Sequence, residues 1–194
     1  ILNNDVREAG DDGIEMDFCR HNCRVMRNRL TNVFVAASSQ PSLGGPSYFI
    51  RNAIYNAVHV PFKLHNSSTG NVILHNTVVK NGDAYAVYAG EPVNRLFSRN
   101  NLMIGGPGGT YNGYTSGTGR TLEIWDLVEA RADMNFDALG STLGSFSGHF
   151  GGTDFNSLAQ FQNWTSETDA RQIGLGVFAK QIAYPASPTR AYAV

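Results

Sequence analysis

Along the first hundred residues, apolar and polar side chains alternate in short runs separated by turn-forming residues. Val72-Ile73-Leu74-His75-Asn76-Thr77-Val78 is a clear example. A period of two is the signature of a β-strand. The runs recur. Ile1-Leu2-Asn3-Asn4-Asp5-Val6, Val25-Met26-Arg27-Asn28-Arg29-Leu30, Phe49-Ile50-Arg51-Asn52-Ala53-Ile54, Ile73-Leu74-His75-Asn76-Thr77-Val78 and Phe97-Ser98-Arg99-Asn100-Asn101-Leu102 superimpose. Their asparagines, Asn4, Asn28, Asn52, Asn76 and Asn100, stand 24 residues apart. An aliphatic residue follows two positions after each: Val6, Leu30, Ile54, Val78 and Leu102. A fixed period with several short strands and a recurring bend asparagine describes one coil of a parallel β-helix. In such a solenoid the inward asparagines stack and hydrogen-bond to one another and to the turn backbone.

With even-numbered residues inside (Met26, Asn28, Leu30; Ile50, Asn52, Ile54; Leu74, Asn76, Val78), the odd ones face outward. Val25, Phe49, Ile73 and Phe97 are then external, and Arg27, Arg51, His75 and Arg99 form a basic column. Such a column has the chemistry to bind carboxylates or sulfates, and it also serves as a solvated ladder that resists lateral strand association.

Between the asparagine segments lie further strand candidates: 13–18, 33–38, 61–66 and 85–89. With Ile14, Met16 and Phe18 inside, Glu15 and Asp17 point out. With Phe62 and Leu64 inside, Lys63 and His65 point out, and Tyr88 joins that face. Glu15 and Asp17 are two residues apart on a strand, so their Cα atoms lie about 6.5–7 Å apart on one face, near the separation used by paired carboxylates in glycosidases. The run Gly10-Asp11-Asp12-Gly13 suits either a turn or oxygen ligation of Ca²⁺ by Asp11 and Asp12. Lyase chemistry would need a base, from Lys63, His65 or Tyr88, and a cation beside the substrate carboxylate. The residues therefore nominate Glu15, Asp17, Lys63, His65 and Tyr88 as catalytic candidates and Arg27, Arg51, His75 and Arg99 as substrate contacts.

After Ile104 the repeat breaks at a Gly-rich stretch, 105–117, which reads as a loop. Regular coils are expected over 1–104, and irregular last coils with a cap over 105–194. Segments 121–125 and 133–136 read as later strands. Residues 157–164 read as a short helix capped by Asn156 or Ser157, with Leu158, Phe161 and Trp164 covering the end of the solenoid.

Composition sharpens this picture. Of the 18 asparagines, 14 fall within the first 101 positions, and only 16% of residues are charged, as expected of strands whose alternate residues are buried. A net charge of -1 lacks the basic footprint of a nucleic-acid binder, and no apolar run is long enough to span a bilayer. Cys19 and Cys23 fit either a short disulfide loop or two free thiols. Ile1 enters the repeat already in phase, so the first coil is expected to continue an earlier part of the solenoid or to meet a second copy end to end.

Residues 1–104, with Asn71-Val72-Ile73-Leu74-His75-Asn76-Thr77-Val78-Val79-Lys80-Asn81-Gly82 as the most typical coil, resemble the right-handed parallel β-helix repeats of the pectate-lyase-like superfamily. The resemblance implies a right-handed parallel β-helix, a secreted or periplasmic location, and a substrate side formed by the strand carrying Glu15, Lys63 and Tyr88. It implies an extracellular polysaccharide partner, expected here to be acidic and to be cleaved by a lyase or hydrolase. The alternatives are a carbohydrate-binding or adhesive solenoid and a fragment lacking its catalytic coils. The superfamily's own catalytic patterns do not transfer: Asp11-Asp12 stands without an in-phase Gly-His-Gly or any Arg-x-Lys, and Arg-x-Pro-x-x-Arg is absent.

Overall fold

The computed structural model describes residues 1–180; residues 181–194 of the expected cap region lie outside them. The chain forms an all-β parallel solenoid of about six turns, with about 25 residues per turn and one short helix near the C-terminus. Three sheets run along its length. The first stacks Asp5–Arg7, Arg29–Val33, Ala53–Ala57, Thr77–Val79, Leu102–Gly105, Ala138–Ser141 and Arg171–Gln172. The second stacks Asp12–Glu15, Val35–Ser38, Phe62–Lys63, Tyr85–Tyr88, Leu122–Ile124 and Gly148–Phe150, closed by the antiparallel strand Thr153–Phe155. The third stacks Cys23–Met26, Leu43–Ile50, Thr69–Leu74, Phe97–Arg99 and Asp133–Asn135.

The asparagine ladder forms the corner between the third and first sheets. Each side-chain amide donates to the next carboxamide oxygen: Asn4 to Asn28 at 3.0 Å, Asn28 to Asn52 at 3.1 Å, Asn52 to Asn76 at 3.0 Å. The next rung is Asn101, at 3.0 Å from Asn76, and not the expected Asn100, which is exposed. One residue has been added to that coil, so Thr77 pairs with Leu102 whereas Ala53 pairs with Thr77. The ladder ends on Asp137, which accepts from the Asn101 amide at 3.0 Å and from Ser98 Oγ at 2.7 Å. Burial and the neighbouring Asp137 charge push the Glu167 carboxyl up to about 10, so it stays protonated beside Asp137 in the closing coil. A second ladder, unforeseen in the sequence, joins Asn32, Asn56 and Asn81 at 3.0 and 3.2 Å.

The corner inverts the expected faces of the third sheet. Val25, Phe49 and Ile73 lie fully inside, whereas Met26, Ile50 and Leu74 are only half-buried. The cause is one left-handed residue between strand and ladder: Arg27, Arg51 and His75 each have φ of 55°. Each adds a residue to the bend, so two residues, not one, separate the inward strand position from the inward asparagine. Strict alternation through the corner therefore assigns the wrong face.

The interior is apolar and continuous. Phe62 stands at its centre, with Phe49 and Tyr85 ring centroids 5.6 and 6.0 Å away. The helix Leu158–Trp164 has Ser157 as its N-cap, its hydroxyl accepting from the Gln160 amide at 3.2 Å. Phe161 is buried among Phe146, Phe150 and Phe155. Trp164 is exposed, so of the three expected covering residues Phe161 and Leu158 pack against the core. Cys19 and Cys23 form a disulfide in the link from the second sheet to the third.

Candidate functional site

The candidate site is a groove on the outer face of the second sheet. Parallel in-register stacking places Glu15 beside Ser38, Ser38 beside Lys63, and Lys63 beside Tyr88. With strands about 4.8 Å apart, the four outward residues make one row across four coils. Asp12 lies beside this row. Its side chain is 1% exposed and ion-paired to the Lys63 ammonium, itself 15% exposed. Among the described residues the Asp12 oxygens make no other regular hydrogen bond, although Glu15 lies close enough for its carboxyl to feel Asp12. Asp17 accepts from Ser38 Oγ and from the Gln40 amide, both at 2.9 Å. Glu15 stands differently: partial loss of water, then the Asp17 and Asp12 charges, raise its carboxyl above the usual range. Neighbouring carboxyls with unlike environments are the arrangement that separates an acid from a base.

The rest of the groove is aromatic. Phe34 stacks on His59 with centroids 5.5 Å apart, and Tyr114 meets Phe34 edge-on at 5.0 Å. His59 also faces Tyr88 at 5.5 Å, and Tyr88 stacks on His65 at 5.3 Å. The His59 ring lies 3.1 Å from the Thr115 carbonyl through Nδ1, which assigns the proton to that nitrogen. Burial holds the ring neutral by lowering its basicity. Val35, Val60 and Ala86 form the apolar floor. Two adjoining hollows, of about 140 and 240 Å³, share His59 and Tyr88: one reaches Asp11, Asp12, Lys63 and Tyr114, the other Glu123 and Trp125.

One wall of the groove comes from the Gly-rich insertion, whose hairpin pairs Thr110–Tyr111 with Tyr114–Thr115. It is fastened by two buried residues. Asp83 Oδ1 accepts from the Thr118, Gly119 and Arg120 amides at 3.0, 2.9 and 2.8 Å. Lys80 is wholly buried, and its ammonium donates to the carbonyls of Asn81, Asp83 and Ser116. Burial brings the Lys80 pKa down to about 7. Gly82 is required here: it has φ of +73°, and a Cβ would come within 1.7 Å of the Ser116 carbonyl oxygen.

The nominated residues thus divide. Lys63 and Tyr88 line the groove with Asp11 and Asp12, and Glu15 and Asp17 stand beside it, on the same row as Lys63 and bonded to Ser38 respectively. His65 sits at its rim, 3.7 Å from Glu91. Arg27, Arg51 and His75 are exposed at the ladder corner, on another face of the solenoid, and they occupy the bend, not a strand. Arg99 is not in their column. The extra residue shifts it onto the strand opposite Leu74, where it pairs with Asp133 and lies over Phe97 at 4.7 Å. The column continues instead through Asn100 and Phe136, which share the left-handed bend. Among the described residues no group of three or more His, Cys, Asp or Glu side chains is placed to share a metal ion. Asp12 faces the Lys63 ammonium where the Ca²⁺ reading would need a metal, so Asp11 and Asp12 do not fit a Ca²⁺ cage.

Sequence reasoning missed Phe34 and gave His59 no partner; Trp125 and Tyr114 could be read as flat faces for sugar rings or as packing and loop residues, without a place in this groove. Phe34 and His59 are one coil of 25 residues apart, and Lys63 and Tyr88 share that interval; tracing 25 as well as 24 would have joined them. His149, without a local partner in the sequence, lies 2.9 Å from Asp154 and stacks on Trp125 at 3.5 Å. Comparison of the chain with protein-family models, curated proteins and solved structures finds no match.

Proposed function

We propose that the groove binds an extended glycan and hydrolyses it, with Glu15 as the proton donor. The observation that carries this reading is the convergence, beside one aromatic-lined groove, of a carboxyl raised above the usual range, Glu15, and a neighbouring carboxyl held by two hydrogen-bond donors, Asp17. Glu15 gives its proton to the glycosidic oxygen as the bond from that oxygen to the anomeric carbon opens. Asp17 takes a proton from water, which adds to the anomeric carbon. Flat aromatic faces supply apolar contact for sugar rings, and Ser38 holds Asp17 in place.

The charge of the groove favours an uncharged chain over the acidic one expected from the sequence. Asp11, Asp12, Asp17 and Glu123 outnumber Lys63 and Arg120, and the Arg27–Arg51–His75 column that suggested a polyanion lies elsewhere. Lyase chemistry fits less well, because a base must be free to accept a proton and the Lys63 ammonium is engaged by Asp12. A pectate-lyase-like ancestry agrees with the solenoid and its ladders. The Cys19–Cys23 disulfide agrees with action in an oxidising, extracellular setting.

The test is a panel of neutral and uronic-acid polysaccharides with two readouts, reducing-end release and absorbance of unsaturated uronates. Glu15→Gln is expected to lower reducing-end release by two orders of magnitude or more, consistent with the roughly 10²–10⁴-fold contribution of a positioned acid. Unsaturated products, or full activity of Glu15→Gln, would overturn the proposal.

A further inference from the structure

The groove does not stop at Tyr88. The second sheet continues into Leu122–Ile124, whose register sets Leu122 beside Tyr85 and Glu123 beside Ala86. Trp125 follows directly. It lines the same hollow as His59 and Tyr88 and is 55% exposed.

The ring is also held still. One face lies on His149, with centroids 3.5 Å apart and planes 17° from parallel. Its indole N–H donates to Glu123 Oε1. Glu123 is gripped by the Arg120 guanidinium, Nη1 lying 3.1 and 3.0 Å from its two oxygens. His149 is fixed in turn by Asp154 at 2.9 Å. Four neighbouring residues thus fix an aromatic plane whose remaining face is open to the groove. A platform ordered before binding loses little side-chain entropy when a ligand arrives.

We infer that Trp125, with Glu123 beside it, is a distal sugar-binding subsite that makes the groove select long glycan chains. This deepens the proposed glycan reading and rests on it. Glu15 and Trp125 are separated by four strand spacings, about 19 Å; Lys63 and Tyr88, on the same row as Glu15, line two adjoining hollows that share His59 and Tyr88 and lead to Trp125. A chain lying along the solenoid axis reaches both. A short oligosaccharide bound at Glu15 does not. Trp125 is here a positioning residue: it holds substrate and touches no reacting atom.

The test uses the full chain with neutral gluco-, xylo- and manno-oligosaccharide ladders, and an oligogalacturonide ladder as the charged arm. Trp164, exposed on the helix, is removed by Trp164→Phe so that Trp125 is the sole indole reporter. Fluorescence of Trp125 is expected to respond to hexasaccharides and not to disaccharides of one neutral series. Trp125→Ala is expected to reduce the ratio of kcat/KM for hexasaccharide over disaccharide by about tenfold, that is about 1.4 kcal/mol, through KM. Trp125→Phe is expected to recover part of that ratio. Hydrolysis with an unchanged length ratio in Trp125→Ala would overturn the subsite while leaving the catalytic reading intact. A length-dependent fluorescence response without any hydrolysis would uphold the subsite and overturn catalysis. No response at any length in any series would overturn the subsite.

Discussion

Lys63 is the residue on which the charge balance of the groove turns. Its ammonium is ion-paired with buried Asp12, and its field also reaches Glu15, whose carboxyl it draws downward against the opposing pull of Asp17 and Asp12. Lys63→Gln therefore has two expected consequences of known sign. Glu15 loses a favourable partner for its ionised form, so its pKa rises further. Activity that needs the protonated acid then persists to higher pH, and the alkaline limb of the kcat/KM profile moves up. Asp12 is left buried without a counter-charge, which costs about 3 kcal/mol or more of stability. A pH–rate profile and a denaturation curve on the same variant check both; an alkaline limb that stays in place or moves down would count against Glu15 as the acid. At this scale the sequence was informative wherever strands are regular. Glu15, Lys63 and Tyr88 could be placed outward by alternation alone. It failed where the backbone leaves the β region at a residue that is not glycine. Arg27, Arg51 and His75 adopt a conformation that ordinary side chains visit at a cost of about 1 kcal/mol. They are held there by stacked coils, as in the bonds from the Arg27 amide to the Ile50 carbonyl and from the Arg51 amide to the Leu74 carbonyl, both 2.9 Å.

Among the elements, the hairpin within the Gly-rich insertion departs furthest from what its own sequence suggests. Thirteen residues dense in glycine read as loop, yet Tyr114 and Thr115 form a groove wall. The information lies elsewhere in the chain: Asp83 is 35 to 37 residues from the amides it binds, and no local pattern announces such a pairing. By contrast the helix Leu158–Trp164 was legible, because a serine cap and its apolar spacing are local signals. Asp83→Ala removes three charge-assisted hydrogen bonds at once. The expected result is faster amide exchange over residues 109–118 and a loss of about 2 kcal/mol in stability, with weaker oligosaccharide binding as Tyr114 leaves Phe34. Hydrogen exchange followed by mass spectrometry measures the first effect. Unchanged protection of that segment would mean that Lys80 and the glycine-backed packing hold the hairpin without Asp83.

For the molecule as a whole, a solenoid distributes its stability along one axis, because each coil packs chiefly on its neighbours. The place of a lesion along that axis should then matter as much as its size. Phe62 and Phe161 make a fair pair, both wholly buried phenylalanines. Phe62 sits mid-stack and meets the rings of Phe49 and Tyr85, while the rings that Phe161 meets among the described residues are Phe146, Phe150 and Phe155 of the closing coils. Replacing either by alanine removes about the same apolar volume and costs about 3–5 kcal/mol where the loss is felt. In Phe62→Ala it is felt by coils on both sides, so amide protection is expected to fall in Arg29–Val33 and Leu102–Gly105 alike, with the groove row between them. In Phe161→Ala the cost is confined to the end. Protection is expected to fall over Gly148–Phe150 and Ala138–Ser141 and to stay near its original level in Val35–Ser38. Site-resolved exchange on both variants decides the matter: equal losses at Val35–Ser38 in the two would show that the coils open as one unit and that the ladder from Asn4 to Asp137 transmits a defect through its full length.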